Sequence, residues 1–309
     1  MTPIPHPIEP HAPKLYSTLH LLHSKPPQHS QPILHQPPRQ PHQPSQPSGK
    51  FRQIRLLLAC VVAVLVLTLS ACGTDSSPSP AAALADNQAI LATCNPAAPP
   101  ASLVALDGSG SSKSDAITAE RMNAVDAVVQ RTAVCGGYLR VIVFSGSSAG
   151  AAVLFDGSMA QDGATDNARL KRVPEAVKKA TEQIRTGYGP AVAAQNGGSD
   201  IVGQYRLASE WISQLGGRYR LHLYVLTDGF DLALGAQALS PQDAVALAAQ
   251  TVVPRLPGAS VVVAGLGRMA GGVPPSTVVE GLVAFYDHLC QRTGATQCAS
   301  VTSYSTEGR

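Results

Sequence analysis

From residue 101 onward, short apolar runs alternate with stretches in which apolar residues recur every three or four positions. The runs have the length of buried strands, and the wider spacing is typical of helices that bury one face. Strands that alternate with helices favour a parallel sheet covered on both sides. The predicted strands are 102–107, 139–144, 151–155, 221–227, 259–265 and 299–304, and the predicted helices are 115–133, 167–186, 200–214, 241–251 and 275–291.

This pattern predicts an α/β fold over residues 101–309. We expect a doubly wound, mostly parallel six-stranded sheet with helices on both faces. The step from strand 139–144 to strand 151–155 is too short for a helical crossover, so it predicts one antiparallel edge strand.

The first 49 residues have a different composition, with 13 of the 25 prolines and seven of the nine histidines, among many glutamines. Proline at this density fixes φ and removes backbone donors, so neither helix nor sheet propagates. We expect a disordered tail here, or a start codon assigned upstream of the true one.

Residues 50–72 have the pattern of an export signal. Basic residues precede Leu56–Leu69, an apolar run of 14 residues. A bilayer span needs about 20 residues, so this run suits a signal peptide better. The segment ends Leu-Ser-Ala-Cys, which resembles the lipobox of bacterial lipoproteins. The resemblance implies that Cys72 is acylated, that cleavage precedes it, and that the protein is anchored at the extracytoplasmic face of the cell membrane. Residues 73–93 are rich in Ser, Pro, Ala and Asp, so we expect 73–100 to form a tether between the lipid and the domain.

The charge balance of the exported part differs from that of the whole chain. Six of the 23 Lys and Arg residues, but only one of the 20 Asp and Glu residues, precede Cys72, so 17 basic and 19 acidic residues follow it. Clusters of basic residues interleaved with aromatics do not occur in that part. Nucleic acid is therefore not an expected partner.

Four cysteines remain after Cys72, and they allow three pairings. Cys94 and Cys135 each precede a predicted strand, so they lie at the same end of the sheet if those strands are parallel neighbours. Cys290 ends a predicted helix, and Cys298 leads into the last strand. In an oxidising compartment we expect the disulfides Cys94–Cys135 and Cys290–Cys298.

Two predicted strands, 102–107 and 221–227, lead directly to an Asp. Hydroxyl side chains follow the first Asp, and another hydroxyl lies in the loop before helix 200–214. If the two strands are neighbours where the strand order reverses, their carboxyl ends form the usual ligand site of a doubly wound sheet. Carboxylate and hydroxyl oxygens suit a hard divalent cation. The candidate ligands are Asp107, Ser109, Ser111, Ser199 and Asp228.

Three motifs contain these residues: Asp-x-Ser-x-Ser at 107–111, Gly-Gly-Ser-Asp at 197–200, and Thr-Asp-Gly at 227–229. In this order they resemble the metal-ion-dependent adhesion site of the von Willebrand factor A domain. The resemblance implies that Mg²⁺, or Mn²⁺ or Ca²⁺ in its place, binds here and accepts an acidic group of a macromolecular partner such as a protein. The family usually has Thr in the middle motif, where this chain has Ser199. The alternative is that 107–111 is a flexible loop and that Ser199 and Asp200 cap a helix.

An esterase is the rival hypothesis, because Gly146–Gly150 matches the Gly-x-Ser-x-Gly pattern with Ser148 as nucleophile and His288 downstream. That motif requires a helix directly after the serine, whereas residues 151–155 have the pattern of a strand. We therefore expect a binding protein and not an enzyme. A metal-free von Willebrand factor A domain in an envelope complex is a third hypothesis.

The lipid anchor is directly testable. Because two or more acyl chains hold a protein stably on a membrane where one is marginal, Cys72→Ala should release the protein or leave it as uncleaved precursor. Fractionation followed by mass spectrometry measures both outcomes. An unmodified Cys72 in membrane-bound wild-type protein would contradict the prediction.

Overall fold

The computed structural model describes residues 79–234 and 240–305. Its strands are β1 Pro100–Asp107, β2 Tyr138–Phe144, β3 Ala152–Ser158, β4 Arg220–Leu226, β5 Ser260–Ala264 and β6 Gln297–Val301. They form one sheet in the order β3-β2-β1-β4-β5-β6. All neighbours are parallel except β2 and β3, which are antiparallel. The predicted six-stranded α/β fold and its antiparallel edge strand are confirmed.

Helices cover both faces of this sheet. Within the described residues they are α1 Pro80–Leu91, α2 Asp115–Val134, α3 Asp166–Leu170, α4 Val173–Ala193, α5 Ile201–Leu215, α6 Pro241–Gln250 and α7 Ser276–Thr293. Helices α1 to α4 contribute to the core on one face, and α5 to α7 to the core on the other. Strand β1 is buried at all its positions, with Val104 and Leu106 facing the first core and Leu103 and Ala105 the second. A central parallel strand is apolar on both faces for this reason.

The strand order reverses between β1 and β4. The chain runs from β1 outward to β2 and β3, returns to β4 on the other side of β1, and continues to β5 and β6. Leu106 of β1 pairs with Leu226 of β4, so the two strands end side by side. This is the position at which doubly wound sheets bind ligands.

The predicted helix over 167–186 is in fact two helices, with a break between Leu170 and Val173. In a continuous helix the ring of Pro174 would clash with the carbonyl of Leu170, so the chain ends one helix and begins another. The second helix also runs on to Ala193, beyond the predicted end.

The prediction of a tether over 73–100 was wrong for Pro80–Leu91, because these residues form helix α1. Ser79 Oγ accepts a hydrogen bond from Ala82 N at 3.2 Å, and Pro80 takes the first helical position, where its missing N–H has no cost. Ile90 and Leu91 pack against the core, which holds the helix on the domain. The last strand also lies earlier than the predicted 299–304.

Both predicted disulfides are present. The Cα atoms of Cys94 and Cys135 lie 5.5 Å apart, and those of Cys290 and Cys298 lie 5.8 Å apart. The first bridge joins the segments that lead into β1 and β2, at the edge where the parallel strands begin. We call this the amino edge, and the opposite edge the carboxyl edge.

The predicted tail, export signal and Cys72 lie outside the described residues. Among residues 79–234 and 240–305, no helix combines the length and apolar character needed to cross a bilayer.

Gly265 allows the C-terminal segment to pass close to β5. Its φ is +95°, and a Cβ there would lie 2.1 Å from Cε1 of Tyr304. We expect Gly265→Ala to lower the free energy of unfolding by about 3 kcal/mol, because a ring clash adds to left-handed backbone strain. Gly258→Ala is the control, since its φ is +76° but its Cβ position has no neighbour within 4 Å. It should cost only about 1 kcal/mol. Equal losses in urea unfolding would show that the clash is relieved.

Candidate metal centre

The carboxylate of Asp107 is at the centre of the site and has no solvent exposure. Its Oδ1 accepts hydrogen bonds from Ser109 N at 2.8 Å and from Ser199 Oγ at 2.9 Å. Its Oδ2 accepts from Thr227 Oγ1 at 2.7 Å. The carboxylate therefore joins the loop after β1, the loop before α5, and the end of β4.

Ser109 and Ser111 lie on the turn that follows Asp107. Their hydroxyl oxygens are 3.3 Å apart. Ser109 is buried, whereas Ser111 is half-buried, so the site is closest to solvent at Ser111. The backbone N–H of Ala270, in the loop after β5, donates to the Ser111 carbonyl at 2.8 Å and braces this turn.

Asp228 follows β4 and is also inaccessible to solvent. Its Oδ1 accepts from Phe230 N at 3.2 Å, but its buried Oδ2 has no hydrogen-bond partner. Burial raises the pKa of Asp228, and the nearby charge of Asp107 raises it further. The nearby Ser111 hydroxyl, the hydrogen bond from Phe230 N and the charge of Arg121 oppose that rise in pKa. The Oδ2 of this buried carboxylate therefore has no donor to offset its negative charge.

Two adjacent residues in the loop before α5, Ser199 and Asp200, have different roles. Asp200 caps the helix, since its Oδ1 accepts from Gly203 N at 2.9 Å. Ser199 does not cap it, because its hydroxyl donates to Asp107 and its carbonyl accepts from Leu232 N at 2.9 Å. The alternative in which both residues are caps is therefore correct only for Asp200.

Two contributing residues were missed in the sequence. Thr227 was part of a motif, but its hydroxyl contacts Asp107 only because β1 and β4 are neighbours. Arg121 is fully buried, and its Nη1 donates to the Asp107 carbonyl at 2.7 Å. Its guanidinium carbon lies 5.2 Å from the centre of the Tyr304 ring. The available signal was a charged residue on the apolar stripe of Ile117, Ala124 and Val128.

The structure brings all five predicted ligand residues together at the carboxyl edge. Within the described part of the chain, no three His, Cys, Asp or Glu side chains converge on a metal position. The possible donors at this edge are instead two carboxylates and three hydroxyls. A hydroxyl that donates its one hydrogen keeps lone pairs for a cation, as Ser199 can here. The unpartnered Oδ2 of Asp228 is the oxygen that a cation would satisfy. These residues fit a hard divalent cation.

Ser148 lies in a different environment. It belongs to a single 3-10 turn, Ser148–Gly150, and strand β3 follows instead of a helix. Its Oγ accepts from Arg206 Nη2 at 2.9 Å, and no histidine in the described residues hydrogen-bonds to it.

His222, on strand β4, is a second histidine outside the site. Burial, followed by the charges of Arg220 and Arg131, lowers the pKa of His222 to about 4, so this histidine is neutral near pH 7.

No family model and no curated protein matches this chain. Among solved structures, the conserved hypothetical protein BatB from Bacteroides thetaiotaomicron is 16% identical over 65% of this chain and 88% of its own, with a TM-score of 0.37. Two crystal structures of proximal thread matrix protein 1 from the mussel byssus are 16% and 15% identical, with TM-scores of 0.32 and 0.33. They match over 69% and 68% of this chain, but only 43% and 44% of their own. These similarities establish neither a family nor a function.

The raised pKa of Asp228 predicts how stability depends on pH. A carboxyl group with a higher pKa in the folded state binds protons more tightly there, so its ionisation lowers stability as pH rises above the ordinary value of 3.8. In chelator near pH 7, Asp228→Asn should therefore unfold at a higher urea concentration than wild type. The difference should vanish at acidic pH.

Asp86→Asn, on the exposed surface of α1, is the control and should unfold like wild type at both pH values. If Asp228→Asn were the less stable protein at neutral pH, the carboxylate would contribute more through its hydrogen bonds than it costs through burial.

Proposed function

We propose that this chain is a lipid-anchored, extracytoplasmic von Willebrand factor A domain protein that binds an acidic group of a macromolecular partner through a bound divalent cation. Mg²⁺ is the first candidate, and Mn²⁺ or Ca²⁺ could take its place. The observation that carries the proposal is the convergence of two buried carboxylates and three hydroxyls where the strand order reverses.

The chemistry of the donors supports a cation of this class. Asp107 and Asp228 place two carboxylates close together, away from water, and the raised pKa of Asp228 reflects their repulsion as well as its burial. The buried Oδ2 of Asp228 has no donor. Positive charge between the two groups would remove both penalties. Ser109, Ser111 and Ser199 would complete an all-oxygen set.

Access to the site supports binding of a partner. The carboxylates are fully buried, but Ser111 is half-buried and next to the exposed Lys113. A partner could therefore reach the site from the side of Ser111. When bound, the cation would supply the Lewis acidity that attracts a carboxylate of the partner. Lys113 adds a second positive charge beside that approach.

The location rests on the export signal at 50–72 and on Cys72. Two disulfides in the described domain agree with an oxidising compartment. Together these features support a location on the extracytoplasmic face of the cell membrane.

The esterase hypothesis receives less support. The strand that follows Ser148 leaves no nucleophile elbow, and the contact with Arg206 satisfies the hydroxyl. These contacts favour a binding protein over an esterase. A metal-free structural subunit remains the alternative, and metal affinity distinguishes it from the proposal.

Calorimetric titration with Mg²⁺ tests the site. Asp107→Ala and Asp228→Ala should each weaken binding by more than the roughly 10–100-fold that loss of an outer-shell partner costs. Asp115→Ala is the matched control, because it removes an exposed carboxylate at the start of α2, near the same edge. It should bind like wild type.

Equal affinities in all four proteins would contradict the metal site, and a wild-type protein that does not bind Mg²⁺ would favour the metal-free alternative. If the metal binds as expected, partners recovered in Mg²⁺ and lost in chelator should also be lost in Asp228→Ala. A partner that stays bound in chelator would show that the interaction uses another surface.

A further inference from the structure

Lysine is unevenly distributed in the exported part of the chain. Only four lysines follow Cys72, and Lys171, Lys178 and Lys179 lie within nine residues of one another. The fourth, Lys113, lies two residues after Ser111 at the carboxyl edge. The part of the chain after Cys72 has more acidic than basic residues, so the cluster of Lys171, Lys178 and Lys179 is a locally positive segment in a net negative domain.

The cluster forms a groove where α3 passes into α4. Lys171, Arg172 and Lys179 line a cavity of about 600 Å³, in which Glu175 is the one acidic lining residue. Lys178 is exposed beside it on α4. None of the ion pairs in the described part of the chain involves any of these four cations. We call this surface the basic groove.

The basic groove lies at the amino edge of the sheet. Ser158 and Met159 also line it, and Ser158 pairs with Tyr138, the first residue of β2. Asp107 ends β1 and Asp228 follows β4, so both lie at the opposite edge. The length of a seven-residue strand, about 20 Å, therefore separates the groove from the candidate metal centre.

The helix through which the described chain enters the domain contacts α3 near its C-terminal end. Helix α1 packs next to α3, where Gln88 Nε2 donates to Asn167 Oδ1 at 2.9 Å, four residues before Lys171. Seven residues lead from Cys72 to Ser79, and even fully extended they reach only about 25 Å. Ser79 and Gln88 are nine residues apart along α1, which adds about 14 Å. An anchor at Cys72 would thus hold the groove within about 40 Å of the bilayer.

We infer that the basic groove contacts the phosphate groups of an anionic phospholipid bilayer, so that the carboxyl edge faces away from the membrane. This inference rests on the lipid anchor of the proposed function. Lysine and arginine side chains are attracted to anionic lipid surfaces over roughly one Debye length. The bilayer is favoured over an acidic protein because the anchor holds its phosphates at a high effective concentration beside the groove.

Lysine footprinting tests the orientation, with Lys113 as internal control. The purified acylated protein is mixed with vesicles of phosphatidylcholine alone, or of phosphatidylcholine with phosphatidylglycerol, and amine labelling is followed by mass spectrometry. On anionic vesicles, labelling of Lys171, Lys178 and Lys179 relative to Lys113 should slow by about threefold or more. High salt should reverse the effect.

Variants sharpen the test. On anionic vesicles, Lys178→Gln/Lys179→Gln should reduce the protection of Lys171 relative to Lys113. Equal labelling ratios on the two kinds of vesicle would overturn the inference. So would protection by inorganic phosphate on neutral vesicles, or protection that appears only when an acidic protein partner is added.

Flotation with neutral vesicles reports the anchor separately. A protein that floats without lysine protection keeps the proposed anchor and loses the inferred contact. If the protein does not float with neutral vesicles, the anchor fails, and labelling on anionic vesicles still decides whether the groove binds phospholipid.

Discussion

The burial of the Asp107 carboxylate is the constraint that organises the functional edge of this protein. A charge removed from water must be hydrogen-bonded or neutralised. Here the donors come from the adjacent turn, from Ser199 and from Thr227, which belong to three separate parts of the chain. Because one carboxylate needs all three, it holds the loops of β1, α5 and β4 in one arrangement.

The neighbouring carboxylate is less well supplied with hydrogen-bond donors. Asp228 is equally buried, but one of its oxygens has no donor. The buried cation Arg121 donates to the backbone carbonyl of Asp107 and lies against the ring of Tyr304. It thus supports the end of β1 from within the protein, and its charge only partly offsets the raised pKa of Asp228. The donors of the site are therefore gathered but not electrostatically balanced, which is the physical basis for proposing a metal.

Much of the architecture could be predicted from local patterns. Apolar runs and helical spacing predicted all six strands and the fold class, and an Asp directly after each of two buried strands indicated the site. The order of strands and helices was enough to pair Cys94 with Cys135 and Cys290 with Cys298. The fold and disulfide predictions succeeded because burial imposes a period on the sequence, and because parallel strands bring the ends of distant segments to the same edge.

Other features depended on contacts that no local pattern contains. Helix α1 begins within a Ser-Pro-Ala segment that is typical of a linker. Packing of Ile90 and Leu91 against the core holds this helix on the domain. Thr227 lies 120 residues from the carboxylate it contacts, and Arg121 meets Tyr304 from the far end of the chain. The sequence by itself determined the apolar residues that are buried in the strands and in most of the helices. Only the tertiary structure decided which buried polar groups meet, because a hydrogen bond depends on positions in space and not on separation along the chain.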